Sequence, residues 1–186
     1  MDNKKIANYA LSFIQGKPEV FEYHNDDKSA SIDIMFCTDE NNSELVTLST
    51  IGLCNADIGQ EVDGKALRVE LIILGDRNED ICAEILATAA FNVQQEQYCS
   101  FGLVLEDTIT PYLADANVKH LVLMHPVFWD GYKYLELDDT IVAWLLAVPI
   151  TEEEKIYIDK NGIEKFDELI VKSQVDLTDF YRSSCV

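Results

Sequence analysis

The sequence predicts an α+β fold, in which blocks of strands and helices follow one another without a regular strand–helix alternation. Two observations support this class. Apolar residues recur at helical spacing near the start, in the middle and near the end of the chain, and the stretches between them alternate or run continuously apolar, as strands do. The 186 residues suffice for one stable core, so we expect a single domain over residues 1–186.

The first element is an amphipathic helix, because its apolar residues repeat every three or four positions. These residues are Ile6, Tyr9, Ala10, Phe13 and Ile14. The segment lacks the continuous apolar run and small-residue cleavage site of a secretory signal, and no apolar run in the chain approaches the ~20 residues that span a bilayer. We therefore expect a cytoplasmic protein with no membrane partner.

Four strands are predicted before the second helix. Residues 20–23 form a short strand, and residues 31–36, with Ile32, Ile34 and Phe36 at alternate positions, form a half-exposed strand that pairs with it as a hairpin. A polar turn at residues 39–43 precedes strands at residues 44–53 and 67–74.

An alanine-rich helix is predicted over residues 78–97, and its small side chains allow it to lie close against the sheet. A further strand begins at Lys119 and is expected to continue through His125 and Pro126 to Trp129. These elements lead to the strongest local pattern of the chain, at residues 140–172.

Residues 141–148 are all apolar and predict a strand in the middle of the sheet, which Pro149 should end. Thr151 and Glu154 have the spacing of a capping box, so a helix should begin at Thr151. Gly162 is expected to end that helix in the left-handed conformation. A second helix follows, with Ile163, Phe166, Leu169 and Ile170 at helical spacing.

The charge balance is strongly acidic, with 14 basic and 34 acidic side chains and a net charge of −20. Such a surface repels phosphate backbones and anionic membranes, so nucleic acid and lipid are excluded as partners. It attracts a basic protein, although the acidity can also serve solubility alone. The five cysteines contain no CxxC pair, which indicates free thiols in a reducing compartment.

Catalytic motifs are absent from the sequence, which has no phosphate-binding glycine loop, nucleophile elbow, HExxH motif or EF-hand loop. The three histidines, His24, His120 and His125, are too scattered to indicate a metal site. A dyad of His24 with Cys37 or Cys54 is the least favoured alternative. We expect no catalytic residue, no cofactor and no metal.

A cluster of aromatic and acidic residues after the strand at 119–129 is the candidate partner-binding surface, because aromatic rings anchor interfaces and carboxylates select basic partners. Packing in the core or at a strand edge is the commoner role of aromatic residues and stays open for these rings. The cluster consists of Trp129, Asp130, Tyr132, Tyr134, Glu136, Asp138 and Asp139.

Several segments, taken in order, resemble the suppressor of fused (SUFU) family in its small bacterial form. They are LVTLSTIGL at residues 45–53, RVELIIL at 68–74, ATAAFNV at 87–93, HPVFW at 125–129, WLLAVPITEEEKIYIDKNGIEKF at 144–166 and DLTDFYRSSCV at 176–186. The resemblance implies a SUFU-like domain with a mixed, mainly antiparallel sheet flanked by helices. It also implies a protein that acts through protein binding and not through catalysis.

Bacterial members of the family are thought to act largely as immunity proteins beside polymorphic toxins, and animal members clamp an extended peptide as an added strand. We therefore expect an antitoxin that binds and neutralises a toxin domain. A regulatory module that takes up an extended peptide is the alternative.

The tail residue Arg182 is expected to have a structural role. Its guanidinium can pair bidentately with a carboxylate and so dock the end of the chain. Asp176, Asp179 or a carboxylate on the sheet are the possible partners. Together with the capping pair, the predicted structural residues are Thr151, Glu154, Asp179 and Arg182.

Overall fold

The structure is a computed structural model that describes residues 1–38, 45–76, 80–129 and 132–186. Within these ranges, four α-helices flank one sheet. The helices are α1 (Asn3–Ala10), α2 (Ile81–Glu96), α3 (Glu152–Asn161) and α4 (Ile163–Ser173). The strands are β1 (Lys17–His24), β2 (Ser31–Thr38), β3 (Leu45–Ile51), β4 (Glu61–Val62), β5 (Lys65–Asp76), β6 (Val104–Leu105), β7 (Val118–Met124), β8 (Leu135–Glu136) and β9 (Thr140–Thr151).

The sheet is mixed and mainly antiparallel. Its strand order is β1-β2-β3-β5-β9-β7-β6, and the short strands β4 and β8 pair with β5 and β9. The single parallel pair among the described strands is β5 with β9, in the middle of the sheet. The predicted α+β fold with helices flanking a mixed, mainly antiparallel sheet is therefore confirmed.

Helix α2 covers one face of the sheet, as its alanine-rich pattern predicts. Ile85, Ala89 and Val93 are fully buried in the core on this face. The helix lies so close to β5 that a Cβ atom built on Gly75 would be 2.7 Å from the sulfur of Cys82. Each fully buried aliphatic side chain contributes roughly 1.5–3 kcal/mol to folding, so this face is a main source of stability.

Helices α1, α3 and α4 and the C-terminal tail cover the other face. Trp144 of β9 is fully buried there, stacked on Tyr9 at 5.5 Å and edge-on to Phe13 at 5.6 Å between ring centroids. Ile6 and Ala10 are the buried residues of α1, and Phe13 and Ile14 follow the helix into the same core. The sequence pattern of the first helix thus identifies its buried face.

Strand β9 continues through Pro149 to Thr151, so the prediction that Pro149 ends it is wrong. The C=O of Pro149 accepts a hydrogen bond from Nη2 of Arg182 at 2.8 Å. Since the N and C=O of one strand residue point to the same edge, the proline nitrogen also faces away from β7. On that edge β5 pairs with β9 only as far as Leu146, so the proline removes no ladder hydrogen bond.

Other predicted boundaries need correction. The hairpin of β1 and β2 is present, but β2 is not half-exposed: Ile34 and Met35, on opposite faces, are both buried. Strand β7 ends at Met124, because the chain turns at Pro126 and the N–H of Val127 donates to the C=O of His125. The predicted polar turn at residues 39–43 and the helix start near residue 78 lie outside the described residues.

Gly162 separates α3 from α4, as predicted. Its backbone has φ 87° and ψ 159°, so it does not adopt the left-handed helical conformation that the sequence suggested. Only glycine visits this region without strain, and the residue therefore allows a sharp change of direction between the two helices. None of the helices in the described ranges is both long and apolar enough to cross a bilayer.

Candidate protein-binding surfaces

The predicted aromatic and acidic cluster is divided by the structure. Asp130 lies outside the described residues. Trp129 is half-buried and packs on the core beneath α1, α3 and α4, next to Phe128 at 6.2 Å between centroids. Trp129 is therefore mainly a packing residue, and part of its side chain stays exposed.

Tyr132 completes the edge of β9. Its hydroxyl accepts from the N–H of Trp144 at 2.7 Å and donates to the C=O of Trp144 at 3.2 Å. These backbone groups lie in the interval between the segments of β9 that pair with β7 and with β8. Because burial raises its pKa, the phenol stays neutral and able to donate. Tyr132 therefore has a structural role.

The remaining members of the cluster are exposed at one end of the sheet. Tyr134 is 55% exposed, and its C=O accepts from the hydroxyl of Tyr9. Glu136 forms an exposed ion pair with Lys65 at 2.9 Å. Asp138 and Asp139 are also exposed, and Asp139 accepts from Thr140. This part of the predicted surface is accessible to a partner.

The tail is docked by a buried ion pair. Nη1 and Nη2 of Arg182 contact Oε1 and Oε2 of Glu154 at 2.6 and 2.8 Å, in a bidentate pair. The N–H of Cys185 also donates to Glu154, at 3.0 Å. The bidentate docking predicted for Arg182 is present, but its partner is Glu154 of α3 and not Asp176, Asp179 or a carboxylate on the sheet.

Glu154 also closes the capping box that the sequence predicts. Its carboxylate accepts from the N–H of Thr151 at 2.9 Å, and the hydroxyl of Thr151 accepts from the N–H of Glu154 at 3.2 Å. Burial acts to raise the pKa of Glu154, but the hydrogen bonds from Arg182 and from the N–H groups of Thr151 and Cys185 outweigh it and hold that pKa below its usual value.

Asp179 acts locally and does not touch the guanidinium. Its carboxylate accepts from the N–H of Tyr181 at 2.8 Å, and its C=O accepts from the N–H of Arg182 at 3.3 Å. Asp179 thus shapes the turn that delivers Arg182 to Glu154.

Glu70, in the centre of β5, is a buried carboxylate that sequence reasoning missed. It accepts from the N–H groups of Gly52, Leu53 and Cys54 at 2.8, 3.3 and 3.2 Å, at the start of a 3₁₀ turn, and from the hydroxyl of Thr50. Burial raises its pKa to about 7, because these hydrogen bonds offset desolvation only in part. The available signal was a lone acid inside the apolar run RVELIIL.

The structure does not support the dyad of His24 with Cys37 or Cys54. His24 lies opposite Ser31 in the β1–β2 register, and Cys37 lies opposite Pro18, six residues before His24 in β1. Burial raises the pKa of Cys37 to about 11 and also raises that of Cys54, so neither thiol is an activated nucleophile. Among the described residues, no three His, Cys, Asp or Glu side chains are grouped closely enough to hold a metal ion.

The ring of His120 is buried, and both of its nitrogens form hydrogen bonds within the fold. Its Nδ1 accepts from the N–H of Asp107 at 2.9 Å, so the proton lies on Nε2, which donates to Glu152 at 2.8 Å. His125 lies outside β7 and stacks on Phe101 at 4.3 Å between centroids. The two residues therefore belong to separate environments.

An acidic and aromatic groove lies between β1 and α2. Its volume is about 470 Å³, and it is bordered by strand residues on one side and by the start of α2 on the other. Phe21 packs edge-on against Phe36 at 5.4 Å on its floor. Desolvation raises the pKa of Tyr23, and the charges of Asp80 and Glu84 raise it further. The full lining is Lys17, Glu19, Phe21, Tyr23, Phe36, Thr38, Val46, Asp76, Asp80 and Glu84.

A second groove, of about 460 Å³, lies between the turn at residues 125–128 and α4. Val127, Phe128 and Val171 are exposed at its rim, and its floor includes Met124 and Leu146. This groove is largely apolar and offers little charge to a basic partner.

The chain is similar to proteins of known family over nearly its whole length. Residues 28–183 match the suppressor of fused protein (SUFU) family. Over 187 aligned residues the chain is 34% identical to the immunity protein YqcF of Bacillus subtilis (strain 168), and the alignment covers 100% of this chain and 97% of that protein.

Solved structures share the fold at low sequence identity. A suppressor of fused homologue from Neisseria gonorrhoeae FA 1090 superposes with a TM-score of 0.74 at 15% identity, covering 99% of this chain and 96% of that chain. The crystal structure of the Sufu–Fu complex matches with a TM-score of 0.64 at 10% identity, covering 98% of this chain and 91% of that chain.

Proposed function

This chain belongs to the suppressor of fused family, and on that premise we propose that it is an immunity protein that binds and neutralises a toxin domain. The observation that carries the proposal is the 34% identity, over the whole chain, to a protein named as an immunity protein. In this proposal the chain acts in the cytoplasm, by binding and without catalysis.

The charge of the chain supports a basic target. With a net charge of −20, the protein attracts cationic surfaces from a distance and raises the rate of association at low salt. A nuclease presents such a surface, because it is built to hold phosphates. An acidic inhibitor that occupies that surface would keep the nucleic acid out.

The test is a calorimetric titration of this protein with the C-terminal domain of a large secreted protein encoded beside its gene, at low and moderate salt. Tight 1:1 binding that weakens with salt is expected. The C-terminal domain of a secreted protein encoded elsewhere is the control. If no neighbouring domain binds, the immunity role is wrong; if binding ignores salt, the basic target is wrong.

A regulatory peptide-binding module is the second candidate, and the outer edge of β1, which pairs with no described strand but β2, favours it. Such an edge can accept an extended segment by strand addition. This function predicts binding to unfolded peptides with no toxin domain present. A screen of extended peptides that yields no ligand, beside a toxin domain that binds, would reject it.

A further inference from the structure

The groove between the turn at residues 125–128 and α4 collects exposed apolar side chains on one surface. Val127, Phe128 and Val171 border it and are 61%, 57% and 64% exposed. Its volume is about 460 Å³. Contiguous apolar side chains that are exposed around a groove indicate a docking site, whereas isolated ones need no explanation. This groove is therefore a candidate for an apolar contact with a partner.

The groove is elongated and runs along α4. Asp167, Val171 and Gln174 line it at helical spacing, in the helix and at its C-terminal cap, so they lie on one side of α4 over two turns. At the rise of an α-helix, these two turns span roughly 10 Å. Met124 and Leu146, which are buried on the sheet, form the floor. The shape of the groove thus matches two turns of a second helix laid against α4.

The described strands beneath the groove offer it no free edge. Met124 pairs with Leu146 of β9, and on the other side of β7 the N–H and C=O of Leu123 bond to Leu103 and Gly102. An occupant must therefore pair its own backbone groups, because an unpaired N–H or C=O that is buried in an apolar groove costs free energy. An α-helix pairs them internally, and an extended segment does not. The groove thus favours a helix that is held by its side chains.

One carboxylate, that of Asp167, stands among the described residues of the lining. Asp167 is half-buried and forms no ion pair with any described residue. Glu164 lies one turn before it on the same side of α4, whereas Lys172 lies about 140° further round the helix. A single cation on the occupant is therefore attracted to this rim. A second copy of this chain would instead bring its own net charge of −20.

We infer that this groove binds an amphipathic helix of a protein partner, which rests on the proposed function only in taking the partner to be a protein. The apolar face of that helix packs on Val127, Phe128 and Val171, and one lysine or arginine at its border pairs with Asp167. Apolar contact supplies most of the affinity, because the groove holds little charge. The contacts are made by side chains on a face of the sheet and not by the backbone of an edge strand.

The first test uses a synthetic probe, the acetylated and amidated peptide AKLAQKLAKLAQKA, whose leucines share one helical face with a lysine before each. Titration followed by backbone amide NMR should perturb α4 and residues 125–128, and the peptide should gain helicity on binding. The peptide AKLAQKALLKAQKA has the same composition and charge with its leucines spread round the helix. It should bind at least ~10-fold more weakly, since no single face of it fills the groove. Equal binding of the two peptides would overturn helix docking.

The second test changes the apolar rim. Val171→Gln puts a polar side chain of good helix propensity on the groove side of α4, so the AKLAQKLAKLAQKA peptide should bind about 10-fold more weakly. Val20→Gln is the matched control, because it makes the same change at a valine of β1 that is 52% exposed and lies outside the groove. It should change binding by less than about twofold. Circular dichroism establishes that both variants fold. An unchanged affinity of Val171→Gln, or an equal loss in both variants, would refute the site.

The third test removes the carboxylate from the rim. Asp167→Asn should weaken binding of the AKLAQKLAKLAQKA peptide about fivefold at low salt, because the lysine loses its partner. Glu168→Gln removes the same charge from the next residue of α4, which is exposed and outside the lining, and it should have less than about half that effect. A peptide with glutamine in place of every lysine should bind wild type and Asp167→Asn equally. Equal effects of Asp167→Asn and Glu168→Gln would mean that only net charge matters, and would refute the pairing with Asp167.

The same variants separate the groove from the proposed function. A toxin domain that loses affinity for Val171→Gln but not for Val20→Gln supports both. Peptide binding that follows all three tests, with no toxin domain bound, supports the groove and rejects the immunity role. If a toxin domain binds and neither it nor the peptide responds to Val171→Gln, the immunity role stands and the groove is overturned. Concentration-dependent dimers that Val171→Gln abolishes would assign the groove to a second copy and overturn the helix of a partner.

Discussion

Glu70 and Glu154 are two buried carboxylates whose pKa values are shifted in opposite directions. Both are fully buried, and both accept backbone N–H groups at the start of a helical turn. Glu154 also has Arg182, whereas Glu70 forms no ion pair with any described residue. The pKa is lowered for Glu154 and raised to about 7 for Glu70.

In this protein, hydrogen bonds from backbone N–H groups and a hydroxyl do not by themselves offset the burial of a carboxylate. The bidentate ion pair with Arg182 does offset the burial of Glu154. The same pair attaches the C-terminal tail to the rest of the chain. Removing the cation from Glu154 or the charge from Glu70 tests this difference between the two carboxylates.

The largest effect is expected for Arg182→Met, which turns Glu154 into a buried carboxylate without a cation. The free energy of unfolding should fall by about 3–5 kcal/mol, because the remaining charge is uncompensated. Urea denaturation at pH 7 measures the loss. The double variant Arg182→Met with Glu154→Met should recover much of it, and a double variant as unstable as the single one would contradict this account.

The second effect is a pH dependence caused by Glu70. The folded chain binds the Glu70 proton more tightly than the unfolded chain, so stability falls as pH rises from the ordinary pKa of 4.5 to about 7. The shift corresponds to about 3 kcal/mol. Urea titrations from pH 4.5 to 8 should show this fall in the wild type but not in Glu70→Gln. The exposed Glu168→Gln is the control and should keep the wild-type slope.

A smaller effect is expected for Thr151→Ala, which removes one half of the capping box. The unfolding free energy should decrease by about 1 kcal/mol, since the N–H of Glu154 loses its acceptor. Thr151→Ser keeps the hydroxyl and should lose less. A Ser variant as unstable as the Ala variant would mean that the buried methyl group matters, and not the cap.

The smallest effect at neutral pH is that of Glu154's own titration, which appears only on acidification. Its pKa in the folded chain is below 4.5, so the stability it contributes is present above pH 4.5 and is lost as pH falls through the folded pKa. Acid unfolding followed by tryptophan fluorescence measures it. The double Met variant should lack this component, and an identical acid transition in both proteins would count against it.

Sequence reasoning succeeded where the interaction is local. The capping box needs only a spacing of three residues, so Thr151 and Glu154 could be paired from the sequence. The buried faces of α1 and α2 follow from helical periodicity in the same way. The central position of β9 follows from its continuous apolar run.

It was less successful where a residue's partner is distant in the chain. The sequence predicts that Arg182 docks the tail, with a local aspartate or a carboxylate on the sheet as its partner, whereas the structure pairs it with Glu154, 28 residues away. For Tyr132 the sequence leaves partner binding and packing at a strand edge open, and in the structure its hydroxyl bonds to the backbone of Trp144 on β9. For the aromatic and acidic cluster, the sequence shows only which residue types are present. It does not show which rings reach the surface, because the cluster has no helical or strand periodicity.

The sequence by itself determined the order of the four helices and the six longer strands, the capped start of α3 and the acidic character of the chain, because these depend on spacing and composition alone. The two-residue strands β4, β6 and β8 are too short to show a pattern in the sequence. Only the tertiary structure decided that Pro149 removes no ladder hydrogen bond, that Glu70 has no ion pair with a described residue and that β1 pairs with no described strand but β2. The physical reason is that pairing, burial and edge position depend on which distant segments meet, and chain closure sets those contacts in three dimensions.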